Sequence, residues 1–188
     1  SCPRFVFASS IAVLGAPLPS TVDDATPLRP RLVYGAHKAM IEQWLATLSR
    51  RGALDALSLR LPGIVARPPG PSGMKSAFMS EVFHALRAGA PFISPVAADA
   101  TMWLMSLEAV VAALLHAVTL DADIPDDRAV TLPALRLRMD ELVTAISQRT
   151  GTDAACLSYA PDHNLQAAFG AYPALITPCA DALGFRHD

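Results

Sequence analysis

The order of apolar and polar runs in the first third of the chain is the feature that most limits the possible folds. Phe5–Ala8 is almost fully apolar, which is typical of a strand buried on both faces, as in a parallel sheet. A loop with four prolines follows over residues 16–30, and a helical pattern over residues 32–51 leads to a second strand over residues 56–65. Strand, helix and strand in that order predict a right-handed crossover between parallel strands, and therefore an α/β fold.

One row of side chains along the predicted helix follows helical spacing, and we expect this row to form the buried face of the helix. The row consists of Val33, His37, Ile41, Trp44 and Leu48. Gly52 lies just past the predicted helix end, where glycine is a common residue.

The rest of the chain alternates between helices and short strands after a Pro-rich break at residues 68–71. Helices are predicted over residues 76–88, 108–120 and 138–151. Strands are predicted over residues 92–93, 102–105, 129–132 and 155–159, and a polar tail follows. We expect residues 1–67 to form one domain and residues 68–188 to form mainly a second domain, with some segments returning to the first.

Composition and charge exclude several classes of protein. Hydrophobic residues make up 52% of the chain and charged residues 17%, which is typical of a globular protein with a buried core. The formal net charge is −2 and no basic stripe is present, so no nucleic-acid partner is expected. No apolar run is long enough to cross a membrane, and no secretion signal is found. Three widely spaced cysteines favour a reducing compartment, so we expect a cytoplasmic protein without a metal site.

Tyr34 and Lys38, four positions apart on the predicted helix, are the residues most typical of a catalytic site. Residues with that spacing lie on the same face about one turn apart, so a phenol and an ammonium group can converge on one ligand. A free phenol has a pKa of about 10, too high for a base at neutral pH, and a fixed positive charge nearby lowers that pKa. Ser10 ends the first strand, at the sheet edge where ligands bind, and its hydroxyl can hydrogen-bond a reacting oxygen.

Two weaker patterns leave alternatives open. Residues 70–76 have some likeness to a phosphate-binding loop, but the spacing of glycine and lysine is wrong for one. Lys75 and Ser76 precede a predicted helix, whose N-terminus can attract a substrate carboxylate. The same two residues also fit a solvated lysine and an ordinary helix cap. Ser10 lacks the flanking glycines of a serine hydrolase.

These segments resemble the extended short-chain dehydrogenases/reductases, the NAD-dependent epimerase/dehydratase family. The resemblance lies in the serine turn over residues 5–15, the helix start over 30–38, the strand over 60–68 and the closing Leu183-Gly184-Phe185. Within the family, residues 9–13, 60–62 and 102–106 are most similar to dehydrogenases of four-carbon sugar acids. Thr101 stands where the family often has arginine.

The resemblance implies the C-terminal half of a Rossmann-type parallel sheet plus a small α/β substrate-binding domain. Residues 1–67 would be a partial domain for the cofactor NAD, and residues 68–188 would bind mainly a small-molecule substrate. The implied catalytic residues are Ser10, Tyr34 and Lys38; the implied cofactor contacts are Ser9, Tyr34, Lys38, Pro62, Gly63 and Ile64; the implied substrate contacts are Ser10, Lys75 and Ser76. The family's Gly-rich dinucleotide motif is not found in the sequence, so we expect the chain to be the C-terminal part of a longer enzyme.

The implied reaction is oxidation of the 2-hydroxyl group of a small sugar acid by hydride transfer to NAD. A nucleotide-sugar epimerase or dehydratase is an alternative, because those reactions also use hydride transfer. A non-catalytic dinucleotide-binding module or an inactive fragment is an alternative of another class. Members of the family often dimerise through the tyrosine-bearing helix, so the resemblance also implies a homodimer.

Overall fold

The computed structural model describes residues 2–68, 70 and 73–188. Part of the predicted Pro-rich boundary, at Pro69, Pro71 and Ser72, lies outside the described residues, as does Ser1. The chain forms two compact units, each made of more than one segment. Unit 1 comprises Ser1–Pro62, Glu108–Ala134 and Ala174–Asp188, and unit 2 comprises Gly63–Leu107 and Leu135–Pro173.

The helices and strands follow one another along the described chain in a mixed order. They are β1 (Arg4–Ser10), β2 (Thr21–Val22), α1 (Val33–Arg50), β3 (Asp55–Leu61), β4 (Gly63–Val65), α2 (Phe78–Arg87), β5 (Phe92–Ser94), β6 (Thr101–Ser106), α3 (Leu107–Thr119), β7 (Ala129–Thr131), β8 (Leu135–Arg138), α4 (Met139–Thr150), β9 (Leu157–Tyr159), α5 (His163–Phe169), β10 (Ala174–Leu175) and α6 (Pro178–Ala182). The α/β class is confirmed.

Unit 1 is built on a parallel sheet with the strand order β1-β3-β7. β1 pairs with β3 from Arg4 opposite Asp55 to Ser10 opposite Leu61. The central strand β3 is buried from Ala56 to Arg60, as expected for a strand covered on both faces. The connection from β1 through α1 to β3 confirms the predicted strand–helix–strand order.

The predicted strand over residues 56–65 is two strands rather than one, because Pro62 separates β3 from β4. Proline has no N–H group to donate to a sheet, so it is poorly suited to the middle of a central strand. β3 stays in the sheet of unit 1, whereas β4 joins the sheet of unit 2. The chain therefore changes unit at this proline.

Unit 2 contains a three-stranded sheet with the order β4-β6-β8, in which β4 is parallel and β8 antiparallel to β6. α2 and α4 contribute side chains to its core. The buried residues of this core are Val65, Phe78, Met79, Val82, Leu86, Val96, Ala100, Met102, Leu104, Met139, Leu142, Val143 and Ile146. Unit 2 also contains a pair of parallel strands, β5 and β9, and the short helix α5.

The predicted buried face of α1 is wrong. Val33 is 72% exposed, Trp44 66% and Ile41 40%, and His37 is also exposed. The buried residues of α1 are Gly35, Glu42, Leu45 and Ala46. The buried side of the helix therefore includes a glycine and a glutamate. A prediction based on residue polarity assigns both to the exposed side.

The described residues were compared with the patterns of a membrane span and of a metal site. No helix among them is long and apolar enough to cross a membrane. In the same part of the chain, no three histidine, cysteine, aspartate or glutamate side chains are grouped as a metal site would require. The three cysteines carry free thiols.

Candidate active site

Ser10 ends β1 and begins the turn that follows it. Its side-chain oxygen accepts a hydrogen bond from the backbone N–H of Ala12 at 3.1 Å and caps the short 3-10 helix Ile11–Val13. A serine in extended conformation at such a position satisfies one of the unpaired N–H groups at the helix start. This contact uses the oxygen as an acceptor, and the side chain remains half-buried at the carboxyl end of the strand.

Tyr34 and Lys38 lie side by side in the first turns of α1, within the same unit as Ser10. The ammonium nitrogen of Lys38 lies 5.5 Å from the centroid of the Tyr34 ring and 4.6 Å from that of Phe7. The same nitrogen donates a hydrogen bond of 2.7 Å to the carbonyl oxygen of Ala8. The cation is therefore held beside the phenol and attached to the strand that ends in Ser10. Tyr34 is 54% exposed and accessible to a ligand.

Gly35 explains how closely the start of α1 approaches the serine turn. A Cβ atom at this position would lie 2.3 Å from the carbonyl oxygen of Ala12, well inside contact distance. Only glycine permits this approach without a shift of the backbone. Sequence reasoning missed this role, although a glycine between the tyrosine and the lysine was a visible signal.

Gly15 plays a similar part in the loop after Ser10. Its φ of 79° is in the left-handed region, and a Cβ atom there would lie 1.7 Å from the carbonyl oxygen of Arg29. The N–H of Arg29 in turn donates to the carbonyl of Val13 at 3.1 Å. The Pro-rich loop therefore folds back onto the serine turn before α1 begins.

A buried polar cluster lies between α1 and the sheet, and sequence reasoning missed it. Glu42 of α1 is 1% exposed, Arg60 of β3 5% and Ser9 of β1 2%. The guanidinium of Arg60 donates to Glu42 at 2.9 Å through Nη2 and at 3.2 Å through Nε, and the hydroxyl of Ser9 donates to the same carboxylate. The hydroxyl of Ser9 thus has a partner inside the protein, and its predicted contact with the cofactor stays a prediction.

The other residues assigned from the sequence fall on both sides of the unit boundary. Pro62 ends unit 1 and is buried, while Gly63 and Ile64 begin β4 in unit 2 and are half-buried. Lys75 is exposed and Ser76 half-buried in the turn before α2, whose N-cap has no side-chain hydrogen bond. A Cβ atom at Gly63 would lie 2.8 Å from the sulfur of Met79, so this glycine allows close packing within unit 2.

Thr101, at the position often occupied by arginine in the family, has a structural contact in unit 2. Its hydroxyl donates to the carbonyl of Tyr172 at 2.8 Å, and the indole N–H of Trp103 donates to the carbonyl of Pro173 at 2.8 Å. The rings of Trp103 and Tyr172 stack with centroids 4.7 Å apart. Burial raises the pKa of Tyr172 to about 12. This cluster fixes the segment before β10 onto β6.

Comparison with known proteins gives consistent matches. The sequence profile of the NAD dependent epimerase/dehydratase family matches residues 1–131. The chain is 35% identical to D-erythronate dehydrogenase of Cupriavidus necator over 99% of its own length and 58% of the relative's. It is 32% identical to D-erythronate dehydrogenase of Haemophilus influenzae over 98% of its own length and 60% of the relative's. The chain therefore spans about three fifths of the length of these curated relatives.

Solved structures agree with the fold. A nucleoside-diphosphate-sugar epimerase from Agrobacterium tumefaciens is 31% identical, with a TM-score of 0.90 over 100% of this chain and 56% of that one. An L-threonine dehydrogenase from Cupriavidus necator is 22% identical, with a TM-score of 0.86 over 98% of this chain and 60% of that one. The profile match covers well over half of the sequence, and it agrees with the strand–helix–strand unit that carries Ser10, Tyr34 and Lys38. On these grounds the chain belongs to the NAD dependent epimerase/dehydratase family.

Proposed function

We propose that the protein carrying this chain is an NAD-dependent dehydrogenase that oxidises the 2-hydroxyl group of a small sugar acid similar to D-erythronate. The observation that carries the proposal is the position of Lys38, attached to β1 through Ala8 and beside the ring of Tyr34. Similarity to two D-erythronate dehydrogenases over nearly the whole chain supports the substrate class.

The donor groups at the end of β1 suit a bound dinucleotide. α/β sheets bind nucleotides at the carboxyl ends of their parallel strands, and Lys38 and Tyr34 lie there. An ammonium group has three protons, and the bond to Ala8 uses one of them, so Lys38 retains donors for the ribose hydroxyls of NAD. Tyr34 and Lys38 would hold the nicotinamide ribose, and Pro62, Gly63 and Ile64 would line the nicotinamide. When bound, NAD supplies the hydride acceptor.

The side chains of the site would handle the proton of the reaction. Ser10 donates its hydroxyl hydrogen to the reacting oxygen and fixes its position. Tyr34 accepts the proton from the substrate hydroxyl, and Lys38 places a positive charge beside the ring of Tyr34. Ser10 thus orients the substrate, Tyr34 takes the proton and Lys38 supplies the positive charge.

A sugar acid also needs a partner for its carboxylate. We assign this contact to Lys75 and Ser76, in the turn that leads into α2. The N-cap of α2 makes no side-chain hydrogen bond, and the N–H groups of Met79 and Ser80 donate to the carbonyls of Ser76 and Ala77. The hydroxyl of Ser76 would therefore donate to the carboxylate. Lys75 adds a positive charge at the same turn.

A second enzymatic function has its own support. The epimerase from Agrobacterium tumefaciens has the same fold over the whole of this chain, with a TM-score of 0.90 at 31% identity. Epimerisation of a nucleotide sugar begins with the same proton and hydride removal. The two functions therefore differ in substrate and not in the chemistry expected of Ser10, Tyr34 and Lys38.

The exposed apolar side of α1 supports a homodimer. Val33, Met40, Ile41 and Trp44 are all at least 40% exposed on this helix. An apolar patch of this kind on a soluble protein is typical of an interaction surface. We propose that a second copy of the protein covers it.

The test of the proposed function follows the absorbance of reduced nicotinamide. The protein, expressed from its complete reading frame, is mixed with NAD and with D-erythronate, L-threonate or a UDP-sugar in turn. We expect steady reduction of NAD with a four-carbon acid and its loss in Tyr34→Phe. The matched control is Tyr159→Phe, which removes a hydroxyl in unit 2 and should keep the activity. Conversion of a UDP-sugar without net NAD reduction would favour the epimerase, and full activity in Tyr34→Phe would refute the mechanism.

A further inference from the structure

The buried cluster of Ser9, Glu42 and Arg60 connects three elements of unit 1 through one carboxylate. Glu42 belongs to α1, Ser9 to β1 and Arg60 to β3. All three side chains are almost fully buried. The carboxylate accepts from both Nε and Nη2 of Arg60 and from the hydroxyl of Ser9. A buried ion pair of this kind contributes little net stability, because desolvation of the charges offsets their attraction. Its main effect is on geometry.

The cluster lies directly next to the proposed catalytic residues along both elements. On α1, Glu42 is one turn beyond Lys38 and two turns beyond Tyr34, on the same side of the helix. On β1, Ser9 lies between Ala8, which accepts the hydrogen bond from Lys38, and Ser10. Two consecutive residues of β1 are therefore bonded to two consecutive turns of α1. A slide of the helix along the strand breaks both bonds together.

The sheet under α1 extends this polar strip. Ser9 pairs in register with Arg60, and Arg60 pairs with Thr131 of β7. These three residues point to one face of the sheet, because paired residues in neighbouring strands share a face. Hydrogen bonds and ion pairs are directional, whereas apolar contacts are not. The bonds of Ser9 and Arg60 to Glu42 therefore allow α1 fewer positions than apolar contacts would.

We infer that Glu42 is a positioning residue, which sets the placement of Lys38 and Tyr34 relative to Ser10 through its buried bonds to Ser9 and Arg60. The inference rests on the proposed function of Ser10, Tyr34 and Lys38. Catalytic groups must be held to within about 0.5 Å, and a misplacement of about 1 Å can lower the rate roughly 100-fold. Glu42 supplies that accuracy through its bonds to Ser9 and Arg60 inside unit 1.

Three variants separate positioning from stability. Ser9→Ala removes one hydrogen bond, Glu42→Gln keeps the shape but leaves the charge of Arg60 unpaired, and the double variant Glu42→Leu with Arg60→Met removes both charges. The destabilised control is Phe185→Leu, which weakens the contact of the buried Phe185 with His116 in α3 and leaves Ser9, Glu42 and Arg60 unchanged. Measurements are the melting temperature, kcat and KM for NAD reduction by the sugar acid, and the pH dependence of kcat.

We expect Ser9→Ala to lower kcat about 10-fold, with KM for the sugar acid and KM for NAD each changed less than about 2-fold, since placement of the reacting groups is lost and binding is not. The pH dependence of its kcat should also differ from that of the wild type, because Lys38 and Tyr34 are no longer held in the same place relative to Ser10. Glu42→Gln should lower both the melting temperature and kcat. The double variant should recover the melting temperature but not kcat. Phe185→Leu should melt earlier with an unchanged kcat.

Three results would overturn the inference. They are a wild-type kcat and pH profile in Ser9→Ala, a recovered kcat in the double variant, or a loss of kcat in Phe185→Leu as large as in Ser9→Ala. If the double variant does not fold, Ser9→Ala decides alone. An inactive wild-type protein would refute the proposed function instead. In that case amide hydrogen exchange still tests the positioning, since Ser9→Ala should speed exchange in residues 33–42 and not in residues 45–50.

Discussion

The ammonium group of Lys38 donates a hydrogen bond of 2.7 Å to the carbonyl oxygen of Ala8, two residues before Ser10 in β1. This bond connects the helix that carries Tyr34 to the strand that ends in Ser10. This bond therefore holds the helix with Tyr34 and Lys38 against the strand that ends in Ser10. A change at Lys38 alters both the charge beside the phenol and the attachment of the helix.

We therefore expect Lys38→Met to reduce kcat/KM for the sugar acid by about 100-fold or more, as is typical when a group in acid–base catalysis is lost. The rate of NAD reduction measures this. Arg149→Met, which removes an exposed cation on α4 of unit 2, is the matched control and should retain the wild-type rate. A Lys38→Met protein with wild-type kcat/KM would contradict the assigned role.

Substitution of Gly35 should disturb the site through the backbone. A Cβ atom there meets the carbonyl oxygen of Ala12 at 2.3 Å, so Gly35→Ala should destabilise the protein by about 1–3 kcal/mol. It should also lower kcat, because α1 must move away from the serine turn. Gly73→Ala is the control, since a Cβ atom at Gly73 would have no neighbour within 4 Å among the described residues. Urea unfolding and the rate of NAD reduction measure the two effects.

The carboxylate of Asp55 makes stability depend on pH at the acid end. Burial raises the pKa of Asp55, but its ion pairs with Arg4 and Arg128 outweigh burial and lower it below the ordinary 3.8. The stabilisation is therefore complete above about pH 4 and is lost as the pH falls through the lowered pKa.

Asp55→Asn should remove this acid-dependent part of the stability and cost about 0.2–1 kcal/mol at neutral pH, as for partly exposed ion pairs. Melting temperatures at neutral pH and near pH 2 measure it. Asp121→Asn, at an exposed position of unit 1, is the comparison variant and should keep the wild-type acid dependence. An equal acid dependence in Asp55→Asn and wild type would disprove the prediction.

Tyr172 should ionise later than an ordinary tyrosine, because burial raises its pKa to about 12. Its contribution to stability is fully present below about pH 10, the pKa of an unfolded tyrosine, and is lost as the pH rises toward 12. A spectrophotometric titration should show a late phenolate component that is lost in Tyr172→Phe. Tyr34→Phe should leave this late component in place. A titration of Tyr172 near pH 10 in the folded protein would contradict the prediction.

The proposed homodimer depends on the exposed side of α1. Trp44 is 66% exposed in the middle of this helix, and a charge there should oppose burial in an interface. Trp44→Lys should convert the dimer into a monomer in light scattering after size-exclusion chromatography. Ile93→Lys, at a 65% exposed apolar residue of β5 in unit 2, should leave the dimer intact. A monomeric wild-type protein would refute the proposal outright.

The first strand and the long helix were predictable because each has a strong local signal. The run Phe5–Ala8 has the apolar content of a central strand, and the spacing of Tyr34 and Lys38 is meaningful only on a helix. The structure confirms both elements, and it brings Tyr34 and Lys38 together. Their catalytic roles stay predictions, as do the cofactor and substrate contacts assigned from the resemblance.

The orientation of α1 could not be read from polarity. Glu42 is buried because Arg60, eighteen positions later, neutralises it, and a one-dimensional pattern carries no information about that pairing. Val33 and Trp44 are exposed although they are apolar, because Gly35, Glu42, Leu45 and Ala46 form the buried side of the helix. The short elements β8, α5, β10 and α6 were not predicted, whereas β5, β7 and β9, of three residues each, were. A pattern of so few residues is too weak to decide between a strand, a helix and a loop.

The return of the last segment to unit 1 has a consequence for biosynthesis. Residues 174–188 supply β10, which pairs with β2 in the loop after Ser10, and they bring Phe185 against His116 of α3. All of unit 2 precedes this segment in the chain. During translation, unit 2 can therefore fold while unit 1 still lacks a strand, and β2 obtains its partner strand only after residues 174–175 have been made.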